Sequence, residues 1–105
     1  MDSKEKLLEI ARRLARRTST GGVKWERTSE DTTFQVSLED VSVLVWSRRG
    51  LFGLSVMNAS GTVVDGISTD SFLGEPELLP GLYDMARRDA LQVDRTIDDV
   101  LRKLS

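Results

Sequence analysis

Hydrophobic positions along this chain follow two rhythms. Leu7, Leu8, Ile10, Ala11, Leu14 and Ala15 recur at helical spacing, with Glu5, Glu9, Arg12, Arg13 and Arg16 on the opposite arc. Asp2 or Ser3 can cap this helix, and Thr18-Ser19-Thr20-Gly21-Gly22 ends it with capping and breaker residues. The period then shortens to two. Residues 23–27 read as a short first strand carrying Trp25, and Ser29-Glu30-Asp31 as a turn. Across Thr33–Leu38, Phe34, Val36 and Leu38 alternate with Thr33, Gln35 and Ser37. Residues 41–46 are apolar on both alternating faces, the mark of a central strand that needs cover on two sides.

The alternation also selects the register. If Glu39-Asp40 is a two-residue loop, Leu38 pairs with Val41, Val36 with Val43 and Phe34 with Val45, and six apolar side chains share one face. Arg48-Arg49-Gly50 is the next connection, where glycine supplies the positive φ of a tight hairpin. Closing that loop on Arg49-Gly50 pairs Val45 with Leu54, Val43 with Val56 and Ser47 with Phe52, which extends the same face. Val41, Val43 and Val45 form the row that helices should bury.

Residues 58–62 read as a turn and Val63–Ser68 as a weaker strand, with Asp65-Gly66 marking an edge or a bulge. Residues 69–80 are punctuated by Gly74, Pro76 and Pro80 and are expected to be a surface connection, with one helical turn near residues 77–79. Helical spacing resumes at Leu82 with Tyr83, Met85, Ala86 and Ala90, and breaks near Gln92-Val93. Asp94 is the expected cap of a last helix carrying Ile97, Val100, Leu101 and Leu104. The expected fold is α+β, a single domain over residues 1–105. It has an N-terminal helix, an antiparallel meander of four to five strands and two C-terminal helices, with the helices mainly on one sheet face.

Composition narrows the chemistry. Hydrophobic residues at 39% and charged residues at 30% are a globular balance, and the net charge of -2 argues against a broadly basic nucleic-acid binder. The chain has no cysteine and no histidine, which removes thiolate chemistry, the usual neutral-pH base and the commonest metal ligand. No metal site and no cofactor are expected. No apolar run reaches the ~20 residues of a membrane span, and the charged N-terminus lacks a signal-peptide core, so a cytoplasmic location is expected.

Two groups of residues are candidates for function. Arg12, Arg13, Arg16 and Arg17, with Arg48 and Arg49 at a hairpin tip, could contact an anion. Their plainer role is a solvated mixed-charge surface, since Glu9 can pair with Arg13 one helical turn on. The second group lies on the outer sheet face: Leu44, Trp46 and Met57 among Gln35, Ser37, Ser42 and Ser55. Trp46 falls opposite Gly53, which leaves room for the indole to lie across the neighbouring strand. Large apolar groups among small hydroxyls on an open face mark a partner or ligand patch.

Lys24-Trp25-Glu26, Phe34, the strand from Val43 to Trp46, Leu82-Tyr83, Ala86-Arg87-Arg88, Ala90-Leu91, Val93-Asp94 and Ile97 form a recurrent pattern. In this the chain resembles uncharacterised small prokaryotic α+β proteins that close on a Leu-Tyr-x-x-Ala-Arg-Arg-x-Ala-Leu-x-Val-Asp-x-x-Ile phrase. The resemblance implies a bacterial α+β module and brings no catalytic residues with it. The preference for arginine over lysine points to a high-GC bacterium. From these readings we expect a non-enzymatic protein-interaction module, a homodimer or the partner of another protein, binding through the outer sheet face or an edge strand. The alternative is a small-ligand or nucleotide sensor that uses Trp46 and the neighbouring hydroxyls.

Overall fold

The computed structural model describes residues 2–70 and 74–105. Helix α1 (Ser3–Ser19) begins where the Asp2 carboxylate accepts the Glu5 N–H at 2.8 Å, and it buries Leu7, Leu8, Ala11 and Leu14. Five strands follow, β1 (Glu26–Arg27), β2 (Thr33–Leu38), β3 (Val41–Arg48), β4 (Leu51–Met57) and β5 (Val63–Ser68), and then helices α2 (Leu78–Leu91) and α3 (Val93–Leu104). The strands form one antiparallel sheet in the order β1-β2-β3-β4-β5. Every pairing expected for the two central hairpins is present: Val36 with Val43, Phe34 with Val45, Val45 with Leu54 and Ser47 with Phe52 among them. Arg49 and Gly50 both take positive φ, 51° and 81°, the signature of a tight turn whose twist matches its strands.

Helices α1 and α2 both lie on the face that carries Phe34, Val36, Val43, Val45 and Leu54, and Leu79, Leu82 and Ala86 of α2 complete the core. Trp25 ties the layers together. Its backbone N–H donates to Asp89 Oδ2 at 2.7 Å, and its indole N–H donates to Thr18 Oγ1 at 2.9 Å, so α1, α2 and the entry to β1 share one buried residue. Tyr83 packs tilted against Phe34 and edge-on against Phe52, with ring centroids 5.6 and 5.4 Å apart. Burial raises the Tyr83 phenol pKa, and Arg87 opposes the shift.

Several boundaries depart from the expectations. Strand β1 is only two residues long, and Trp25 precedes it. Helix α2 starts at Leu78 rather than Leu82 and takes Pro80 and Gly81 into its first turn. A helix's first N–H groups have no partner within the helix, so a proline there costs little and does not break it. Asp94 does not cap α3. The helix starts at Val93 from Gln92, a left-handed residue (φ 50°, ψ 52°) that ends α2 and begins α3, which places Asp94 in the first turn. Val41 is not buried: it and Leu38 are each 38% exposed, because they close the β2–β3 hairpin beyond the reach of the helices. Val64 is the extra residue of a bulge where β5 pairs with β4, and Asp65-Gly66 lies on this edge strand as expected. Part of the connection expected over 69–80, residues 71–73, lies outside the described residues.

Helix α3 stands apart. None of its residues is buried, and Ile97, Val100, Leu101 and Leu104 are 51, 51, 62 and 78% exposed. It adjoins the body through α2, and the molecule is correspondingly long, 54 Å against 30 and 27 Å. No described helix is long and apolar enough to cross a membrane.

Candidate functional site on the outer sheet face

Because α1 and α2 share one layer, no described helix covers the other face of the sheet. Strand register arranges that face in transverse rows. One row holds Thr33, Trp46, Gly53 and Ser68, the next Gln35, Leu44, Ser55 and Gly66, and the third Ser37, Ser42, Met57 and Val63. All seven residues expected to form the patch therefore share a face. Gln35, Leu44, Trp46 and Ser55 line a shallow groove of about 400 Å³, while Ser37, Ser42 and Met57 lie toward the β2–β3 hairpin.

Trp46 is fixed on several sides. Its ring lies flat over Gly53, where an added Cβ would fall 2.0 Å from Cζ2 of the indole. The indole N–H donates to Ser55 Oγ at 3.2 Å, and the Arg48 guanidinium sits 5.3 Å from the ring centroid. Arg48 is held in turn by Glu30 at 3.0 Å, and Thr33 Oγ1 donates to the same carboxylate at 3.3 Å. The Gln35 amide donates to Ser42 Oγ at 3.3 Å. Such an indole is preorganised: its exposed surface can be covered with little loss of side-chain freedom, the property that makes tryptophan an interface anchor.

Glu30, Arg48 and Val63 belong to this surface and were not assigned to it from the sequence, whereas alternation had already put Thr33 on it. For Arg48 the signal was present, since it follows Trp46 by two residues and alternation puts both on one face. Glu30 reaches the face from a turn, where no periodicity operates.

The expected arginine cluster is spread over two layers. Arg12 binds the Glu75 carboxylate through Nε (3.1 and 3.2 Å) and Nη2, and Glu9 through Nη1 at 3.1 Å. Arg13 and Arg16 approach Glu9 at 2.9 and 3.7 Å. The hydrogen bonds to Glu75 and then Glu9 raise the Arg12 pKa further, while those from Arg12 and from Arg13 then Arg12 hold the Glu75 and Glu9 carboxyls below the usual glutamate range. Arg17 and Arg49 are exposed, and Arg48-Arg49 belongs to the β3–β4 turn rather than to α1. The structure does not gather the six arginines into one site, and Arg12, Arg13, Arg16 and Arg48 already meet carboxylates. Among the described residues no group of three or more Asp or Glu is placed to hold a metal ion.

No protein-family model, curated protein or solved structure matches the chain.

Proposed function

We propose that this chain is a non-enzymatic protein-interaction module that docks through its outer sheet face and forms a homodimer in the bacterial cytoplasm. The observation that supports this most is the pairing of an uncovered face with an immobilised anchor. Trp46 is held by Gly53, Ser55 and Arg48 in advance of any partner, with Leu44, Met57 and Val63 beside it. Apolar groups at the centre and hydroxyls, Glu30 and Arg48 around them reproduce the core-and-rim layout of protein interfaces. Light scattering on wild type and Trp46→Asp tests it, with a thermal melt to establish that the variant folds. The expected result is a wild-type dimer and a monomeric variant. A dimer that survives the substitution removes the face from the account.

The groove favours a second reading, a small-ligand or nucleotide sensor with Trp46 as the stacking platform and Gln35 and Ser55 as hydrogen-bonding groups. Titration of Trp46 emission with a nucleotide and metabolite panel tests it, and no response from the folded protein eliminates it.

A further inference from the structure

We propose that the α3 helix of each copy lies on the outer sheet face of the other, closing a two-fold dimer. This rests on the reading of that face as the docking surface and adds what occupies it.

Two apolar surfaces lack cover among the described residues: the outer sheet face, where Val63 is exposed and Leu44, Trp46 and Met57 are half-buried, and the exposed α3 ridge of Ile97, Val100, Leu101 and Leu104. They do not meet within one molecule. Helix α3 follows α2 through the single residue Gln92, and α2 lies on the inner side of the sheet. None of the α3 residues is buried, so the helix is not seated on its own sheet. The 54 Å long axis accords with this, since α3 extends away from the body.

The dimensions of the two surfaces agree. Twelve helical residues are ~18 Å long, and five strands at ~4.8 Å spacing are ~19 Å across, so α3 laid over the strands reaches from one sheet edge to the other.

Area favours exchange over pairing of the ridges alone. Four such partly exposed aliphatic side chains present on the order of 400 Å², so two ridges packed together bury roughly 800 Å², short of the ~1,200–2,000 Å² of a stable interface. Seating each ridge on a sheet face involves four surfaces rather than two and brings the total to roughly 1,600 Å².

Charge does not separate exchange from an antiparallel pair of α3 helices. Helical periodicity puts Asp94, Asp98 and Arg102 on one flank of the ridge, and antiparallel pairing sets the Asp94 end of that flank against the Arg102 end of its copy. A lipid surface is a poorer occupant. The polar side of α3 balances Asp94, Asp98 and Asp99 against Arg95, Arg102 and Lys103, and the helix has no aromatic residue, unlike the cationic, aromatic-bearing helices that bind membranes. A two-fold exchange satisfies both apolar surfaces of both copies and leaves nothing to propagate.

Complementation between two variants of the full chain tests the proposal. Leu101→Asp spoils the ridge and leaves the face intact; Trp46→Asp does the reverse. Each alone should weaken dimerisation at least a hundredfold and run at the 11.7 kDa of one chain. Mixed in equal amounts, they should recover a dimer in which one intact ridge meets one intact face, weaker than wild type. Should Trp46→Asp fail to melt cooperatively, Met57→Lys on the same face takes its place. A monomeric wild type overturns both the exchange and the homodimer. A dimeric Leu101→Asp overturns the exchange and leaves the face reading standing. A dimeric Trp46→Asp beside a monomeric Leu101→Asp overturns both in favour of paired ridges. Two monomeric variants that do not complement overturn the exchange alone.

Discussion

Helices α2 and α3 are consecutive, similar in length and both amphipathic, yet they meet opposite fates. Helix α2 sets Leu79, Leu82 and Ala86 into the core at 2% exposure or less, whereas α3 buries nothing. The one-residue joint at Gln92 accounts for the difference. A left-handed residue there turns the chain off the sheet at the end of α2, so the second apolar stripe has no layer left to cover. The sheet repeats the contrast. Its inner face is closed by two helices, and its outer face holds an ordered tryptophan on which no described helix is laid, though the start of α1 shares a cavity with it. The lesson is that an apolar stripe states a demand for cover, and connectivity decides whether the same chain can meet it.

Substitutions on the two helices should separate most widely. Leu82→Ala should cost about 2–5 kcal/mol, the usual range for truncating a buried leucine, whereas Leu101→Ala should shift stability by no more than about 0.5 kcal/mol at concentrations where the chain is monomeric. Chemical denaturation of both variants at low concentration checks the pair, and equal losses would break the comparison.

Gly53→Ala probes the outer face. A Cβ there would collide with the indole, so the substitution should cost about 1–3 kcal/mol in the wild-type background and less than about 1 kcal/mol beside Trp46→Ala. The double-mutant cycle reads the coupling directly. No coupling would mean that the indole is not seated on Gly53.

The smallest effect expected is electrostatic. Glu9 and Glu75 have folded pKa values below the ordinary 4.5, so the stability that Glu75 adds through Arg12, and Glu9 through Arg13 and then Arg12, is complete above that pH and is lost as pH falls through the lower folded values. Arg12→Met should flatten this part of the profile. Melting temperatures between pH 7 and pH 2.5 check it, with the wild type falling more steeply than Arg12→Met below pH 4.5.

Much of this was legible in the sequence because alternation over Thr33–Leu38 and residues 41–57 is regular and a one-residue slip would turn it inside out. The seat of Trp46 on Gly53 followed from that register. Other features were not legible, for identifiable reasons. Pro80-Gly81 carries the signature of a break, but position within a first turn reverses its meaning. Asp94 has the chemistry of a cap, yet the backbone at Gln92 had already started the helix. Alternation put Val41 on the inner face and could not say that the helices stop short of it. Periodicity found the α3 ridge without revealing that the described residues leave it exposed.

If the outer face becomes buried when the chain associates, Trp46 reports it. Trp25 is 1% exposed and shielded at every concentration, so quenching of tryptophan emission by acrylamide reads Trp46. Measured across a dilution series with mass followed by light scattering, quenching should fall as the dimer forms. Quenching that stays constant while the mass doubles would contradict the account.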